Sequence, residues 1–230
     1  IPGIDFNFLL PFLGSFLLLY YWQGVVFMQK AKSCELGRSM IEMLGVLAII
    51  GVLSVGGIAG YSKAMEQFKI NKTIEQYNYL IFGMLNYMKD IPKTTQTTCL
   101  LNIAEATGLI PNTWKYWNSC GIRDDLGNSL QTYAGNNARL VIGFEPSNYN
   151  KKSITHKLCT ELFNNIIIPL SEPIAHVFIG NGEATYAVYY GKTWCMSSKK
   201  CLIDVTLSDI KGACDFCADS KRCGIYLNFY

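Results

Sequence analysis

The sequence predicts an α+β protein: a long N-terminal helix packed on a small antiparallel sheet and stapled by disulfides. Three observations predict it. An uncharged run, Met43–Ser62, passes into a stretch of helical periodicity that stops near Pro92. Short strand-like runs follow, two of them separated by Gly180-Asn181-Gly182, a hairpin signal. Of nine cysteines, eight lie after the uncharged run. An even number on one side of an apolar helix fits an oxidising compartment.

Composition bounds the rest. The chain has 230 residues, 50% hydrophobic and 16% charged, with a net charge of +3. The apolar excess sits in two uncharged runs of 20 residues, Phe8–Phe27 and Met43–Ser62. The remainder has an ordinary globular composition. A polytopic membrane protein, a disordered chain and a wholly cytosolic chain are therefore excluded. The charge is too small to argue for a nucleic-acid partner, and none is expected.

The chain opens at Ile1 and its first methionine is Met28. Residues 1–27 are expected to be an upstream segment produced by a start-site artefact, although Phe8–Phe27 is long enough to span a bilayer. From Met28 a short polar stretch carries Lys30, Lys32 and Cys34 and ends at Gly37. The long apolar run comes after it. A secretory signal has the opposite order, with its apolar region before the cut. The expected arrangement is one membrane helix that stays attached to the domain beyond it. Glu42 stands just before the 20 uncharged residues. A carboxylate there is costly in lipid, by about 1–3 kcal/mol, unless it sits at the interface or is paired. Two readings stay open on physics alone: favourable charge at a helix N-terminus, or a partner charge on a neighbouring chain.

Residues Met28–Ser62 resemble the N-terminus of type IV pilins and type II secretion pseudopilins. The resemblance rests on a short basic leader, Gly37, and an apolar helix whose fifth residue after that glycine is Glu42. Gly51 and Tyr61 fall where that family commonly has Gly and Tyr. Two positions depart from it: Arg38 stands where the family usually has a Phe that is N-methylated, and Ala59 where it often has Pro. Gly56, Gly57 and Gly60 lie close by and weaken a helix by roughly 1 kcal/mol each.

The resemblance implies a pilin-like fold and a structural role in assembly. A prepilin peptidase would cut between Gly37 and Arg38, leaving residues 28–37 as leader. Glu42 of one subunit would pair with the new N-terminal ammonium of a neighbour. The partners implied are that peptidase, other pilin or pseudopilin subunits in a homo- or hetero-filament, and the bacterial inner membrane. The domain would lie in the periplasm and later in an extracytoplasmic filament. The flanking charges do not decide topology, because Lys30, Lys32 and Arg38 face Lys63, Lys69 and Lys72 across the helix.

The helix is expected over residues 38–91, with residues 43–62 in the membrane or filament core. Its second half carries Ile74, Tyr77, Ile81, Leu85 and Met88 at spacings of three and four, an apolar stripe for packing. Residues 92–230 form the globular domain. Cys99–Thr107 reads as a short helix ending at Gly108, and Ser153–Ile168 as a second one. The expected strands are Arg139–Phe144, His176–Ile179, Thr185–Tyr190 and Cys201–Leu207.

The disulfide candidates are Cys99, Cys120, Cys159, Cys195, Cys201, Cys214, Cys217 and Cys223, with Cys99–Cys120 the favoured pair. Cys214-Asp-Phe-Cys217 is also half of a zinc site, but no second such pair accompanies it. A redox role would want a βαβ setting, which the pattern lacks. Asp204, Asp209, Asp215 and Asp219 have no calcium-loop spacing and read as turn carboxylates. No catalytic constellation, cofactor motif or metal set stands out. His156 and His176 read as structural, and the protein is not expected to be an enzyme. Two alternatives remain: a minor pilin that binds DNA or a surface through Trp114, Lys115, Tyr116 and Trp117, or a membrane-anchored redox or zinc protein using Cys214 and Cys217.

Overall fold

Helix α1 runs from Glu35 to Tyr87 without a break. It closes with the 3-10 turn Met88–Asp90, and Ile91 is extended because it precedes Pro92. The computed structural model describes residues 35–91, 94–135, 138–147, 152–181, 183–220 and 222–230, with side chains from residue 41 onward. The expectations for residues 1–27, for most of the leader and for Gly182 lie outside the described residues. Two compact units meet at Ala59 and Gly60, inside α1.

The second unit is built on a helical stripe. Ile70, Ile74, Tyr77, Leu80, Ile81 and Met84 are buried, while Lys72, Glu75, Tyr79 and Phe82 on the other side are exposed. That three-and-four spacing keeps one face of a 3.6-residue helix against the core. Gly83 lets the Leu109 side chain seat on the helix backbone: a Cβ there would come within 2.2 Å of it. The stripe anticipated at Ile74, Tyr77 and Ile81 is buried, and Leu85 and Met88 pack beside it half-buried. At the far end Arg139 Nη1 donates to the carbonyls of Lys89 (3.1 Å) and Ile91 (3.2 Å). This satisfies acceptors that a helix end leaves orphaned.

Among the described residues, eight strands, all antiparallel, form one sheet: β1 Thr98–Cys99, β2 Lys115–Asn118, β3 Gly121–Arg123, β4 Ser129–Gly135, β5 Ala138–Glu145, β6 His176–Gly180, β7 Thr185–Tyr190 and β8 Gly224–Phe229. Their order is β2-β3-β4-β5-β8-β6-β7, with β1 beside β4. The sheet is therefore larger than expected. The C-terminal strand β8 sits in its middle, pairing Ile142 with Leu227 on one side and Val177 with Leu227 on the other. Alternation fixes which side faces the core. Leu130, Ile142, Phe144, Ile225, Leu227, Val177, Ile179 and Tyr189 point inward and are buried. Gln131, Gly143, Tyr226 and Phe178 form a matching row on the outer face.

Helices fill the inner side. α2 spans Leu101–Ala106, and Gly108 follows it with φ +69°. α3 spans Lys152–Leu162 and continues through a wide π turn, Phe163–Ile167, in which Ile168 N–H donates to the Phe163 carbonyl at 3.0 Å. α4 spans Leu207–Asp219. Tyr77 meets Phe144 with ring centroids 4.9 Å apart, and Phe163 meets Tyr189 edge-on at 6.2 Å. α1 thus covers the β5 side of the sheet, and α3 the β7 side.

The strand expected at Cys201–Leu207 is not there. Cys201 makes a single bridge with Tyr190, Leu202–Asp204 is a 3-10 turn, and α4 begins at Leu207. A capping box decides it. Asp209 N–H donates to Thr206 Oγ1 at 3.2 Å, and Thr206 N–H donates to Asp209 Oδ2 at 3.0 Å. The Thr206 hydroxyl, which donates to Asp209 Oδ2 at 2.6 Å, and then the Thr206 N–H hold the Asp209 carboxyl below the usual carboxylate range. Ile210, Ala213, Cys214 and Cys217 then form the buried face of α4.

One buried polar cluster ties α1 to the β3–β4 turn. The Tyr77 hydroxyl donates to Asp124 Oδ2, and Asn128 Nδ2 donates to the same oxygen at 2.8 Å. Asp124 Oδ1 accepts from the backbone N–H of Leu126 (2.9 Å) and of Asn128 (2.8 Å). Gly127, at φ +80°, allows the turn to fold back on itself. Burial pushes the Asp124 carboxyl up, against the lowering effect of its four donors. Burial, with Asp124 beside it, pushes the Tyr77 hydroxyl well above its ordinary value.

Candidate assembly site

The first half of α1 is the part of the described chain that the fold leaves uncovered. Every described side chain from residue 41 to 64 is exposed. Twelve of them are large and apolar: Ile41, Met43, Leu44, Val46, Leu47, Ile49, Ile50, Val52, Leu53, Val55, Ile58 and Tyr61. They point in all directions around the helix, whereas a helix on the surface of a globular protein keeps one polar face. Each such side chain gains roughly 1.5–3 kcal/mol when fully buried. Bare in water, this segment therefore exposes apolar surface whose burial would be strongly favourable. The helix is long and apolar enough to cross a membrane.

The sequence-predicted site residues lie at the start of this segment. Gly37 and Arg38 are within the first turn of α1, and Glu42 is exposed just before the uncharged run. α1 passes through Gly56, Gly57 and Gly60 as regular helix, and an added Cβ at any of the three would meet nothing within 4 Å.

The eight cysteines of the domain stand in four pairs at disulfide distance. Cys99 pairs with Cys120 (Cα–Cα 5.3 Å), Cys159 with Cys214 (5.5 Å), Cys195 with Cys201 (5.5 Å) and Cys217 with Cys223 (5.0 Å). Cys99–Cys120 fastens β1 to the β2–β3 turn, and Cys159–Cys214 fastens α3 to α4. Cys214 and Cys217 share a buried helix face but stand next to different partners, Cys159 and Cys223. Among the described residues, no group of three or more His, Cys, Asp or Glu is placed to hold a metal ion.

The remaining candidates have local roles. His156 Nε2 lies 3.2 Å from Asp215 Oδ1, and Asp215 also pairs with Lys211. Lys152 pairs with Asp219 at 2.6 Å. Asp209, Asp215 and Asp219 thus cap or flank α4 rather than a turn, because the segment is helical. His176 lies beside the rings of Tyr190 and Tyr230, with centroids 6.0 and 5.9 Å away. Burial, and then Lys199, pull its pKa below the usual histidine value. Trp114 belongs to the core, edge-on to Tyr77 at 5.9 Å, and is not an exposed binding aromatic. Tyr116 and Trp117 are exposed. The Tyr77–Asp124–Asn128 cluster has no counterpart in the sequence reading; Asp-Asp-Leu-Gly-Asn is a local turn signal, but nothing in it points to a partner on α1.

No known protein family matches the chain, and neither curated proteins nor solved structures show a match to it.

Proposed function

We propose that this chain is a pilin-like subunit: an inner-membrane precursor that is processed between Gly37 and Arg38 and built into a type IV pilus or type II secretion pseudopilus. One observation carries the reading. A single helix has a second half packed in a cystine-rich domain and a first half that is apolar on every side and uncovered. Lipid covers such a half before assembly, and the same half of neighbouring subunits covers it afterwards. Glu42 then has a role at the end of the apolar run, receiving the ammonium freed at Arg38 of an adjacent subunit. A charge placed in an apolar core is tolerated when an opposite charge meets it there. The work is assembly rather than catalysis.

N-terminal sequencing of the protein isolated from membranes tests this. Processing predicts a first residue of Arg38, lost when Gly37→Asp is introduced. A mature protein that still carries Met28 and the leader would remove the proposal.

A further inference from the structure

The outer face of the sheet carries a cleft of about 770 Å³ that the assembly reading does not use. Its size falls within the range of small-molecule sites, roughly 300–1,000 Å³. Its floor is aromatic by construction. Tyr226 lies across the sheet, over Gly143 on β5 and Gly224 on its own strand: an added Cβ would stand 2.6 Å and 2.3 Å from its ring. Phe178 lies over Gly180 in the same way, at 2.8 Å, and Trp117 covers Gly121 at 2.3 Å. Glycine at these four positions lets the rings lie down on the backbone. Tyr226 and Phe178 adjoin each other, with centroids 6.1 Å apart.

Polar groups stand around this floor. Glu145 Oε1 accepts the Tyr226 hydroxyl at 2.6 Å and the Gln131 amide at 3.4 Å. Both bonds fall on one oxygen, so Oε2 keeps its capacity to accept. Arg123 lies 5.5 Å from the centre of the Trp117 ring, and Arg222 is exposed on the approach to β8. Among the described residues, neither arginine is engaged by a carboxylate. Two cystines hold the walls: Cys120 lies between Trp117 and Arg123 in the chain, and Cys223 follows Arg222.

We propose that this cleft binds an acidic saccharide, its sugar rings lying on the Tyr226, Phe178 and Trp117 side chains and its carboxylate held by Arg123 and Arg222. The C–H face of a pyranose ring is apolar and meets the electron-rich face of an aromatic ring favourably. Its hydroxyls are donors that suit the free oxygen of Glu145. Guanidinium groups match carboxylates in bidentate geometry. A single-stranded nucleic acid also stacks on aromatic rings, but it needs a cationic groove that tracks the backbone. Here two arginines and one carboxylate, Glu145, line the cleft, which suits a ligand with an isolated charge and hydroxyls better than a continuous run of phosphates. The inference is independent of filament assembly, because it concerns only the outer face of the sheet.

The test uses the full chain in a detergent without a sugar headgroup, titrated calorimetrically with tetragalacturonate, maltotetraose and a twelve-residue oligothymidylate. Tetragalacturonate is expected to saturate one site and to bind at least tenfold more tightly than uncharged maltotetraose. Arg222→Ala and Trp117→Ala, both at exposed positions, are each expected to weaken it at least tenfold. The proposal is overturned by no saturable binding of tetragalacturonate, by equal affinity for maltotetraose, by tighter binding of the oligothymidylate, or by wild-type affinity in Arg222→Ala. None of these outcomes depends on whether the mature chain begins at Arg38.

Discussion

The two halves of α1 have the same secondary structure and opposite surroundings. Residues 41–64 present apolar side chains on every face and cover none of them. Residues 70–84 carry a narrower stripe, and the core takes it completely: Ile70, Tyr77, Leu80, Ile81 and Met84 are at 0% exposure. Helix formation alone does not distinguish these halves, since both lie in one uninterrupted element. What distinguishes them is where their apolar surface is satisfied. The second half is satisfied within its own chain. The first half is not satisfied by any described part of the chain.

Removing the cystine that closes the longest loop separates the halves most. Cys159 and Cys214 close a loop of 55 residues, and closing a loop of that length lowers the entropy of the unfolded chain by about 4 kcal/mol equivalent. Cys159→Ala combined with Cys214→Ala should therefore lower domain stability by about that amount in denaturant melts. Membrane association through residues 43–62 should be unchanged. A loss of both together would mean that the halves depend on each other.

The converse change acts on the other half. Leu53→Asp puts a carboxylate near the middle of the uncharged run and should cost about 3 kcal/mol of insertion, roughly a hundredfold. The domain should melt within about 0.5 kcal/mol of the unchanged protein, since Leu53 is exposed and outside its core. Membrane fractionation and thermal unfolding of the same variant read the two effects side by side.

A smaller effect is expected at the polar cluster. Tyr77→Phe removes one of the donors to buried Asp124 and should destabilise the domain by about 1–3 kcal/mol. It should also change the alkaline limb of the stability curve. The folded Tyr77 pKa is raised above its unfolded value near 10, so the folded state holds the proton longer. Stability is then fully present below about pH 10 and is lost as pH rises toward the folded pKa. Tyr189, pushed up to about 12, and Tyr226, raised by burial and Glu145, act in the same direction. Urea melts between pH 8 and 11 should show a decline above pH 10 that is shallower in Tyr77→Phe. An equal slope in both proteins would remove Tyr77 from that account.

Local patterns made some of this architecture readable. The stripe around Tyr77, the Thr185–Tyr190 strand and the short helix before Gly108 follow from spacing and from a single turn residue. The C-terminal strand β8 was also legible in retrospect, because Ile225, Leu227 and Phe229 alternate with Tyr226 and Asn228. α4 was mistaken at its start, since Cys201–Leu207 has strand-like residues. The Thr206–Asp209 capping box was the local signal that it stops there. Strands β2 to β4 were hidden by short runs whose meaning comes from pairing with β5. The outer cleft was not legible: Gly143 and Gly224 are far apart in the chain and become one floor only when Tyr226 lies over both.

The sequence by itself determined the division of labour along α1, because a run of 20 uncharged residues needs an apolar surrounding whatever follows it. It also determined that eight of the nine cysteines belong to the domain beyond that run. Tertiary structure decided which cysteines meet, where Asp124 finds Tyr77, and which aromatic rings share one face. Those outcomes rest on contacts between distant parts of the chain, and such contacts follow from strand order and register, which no local window contains.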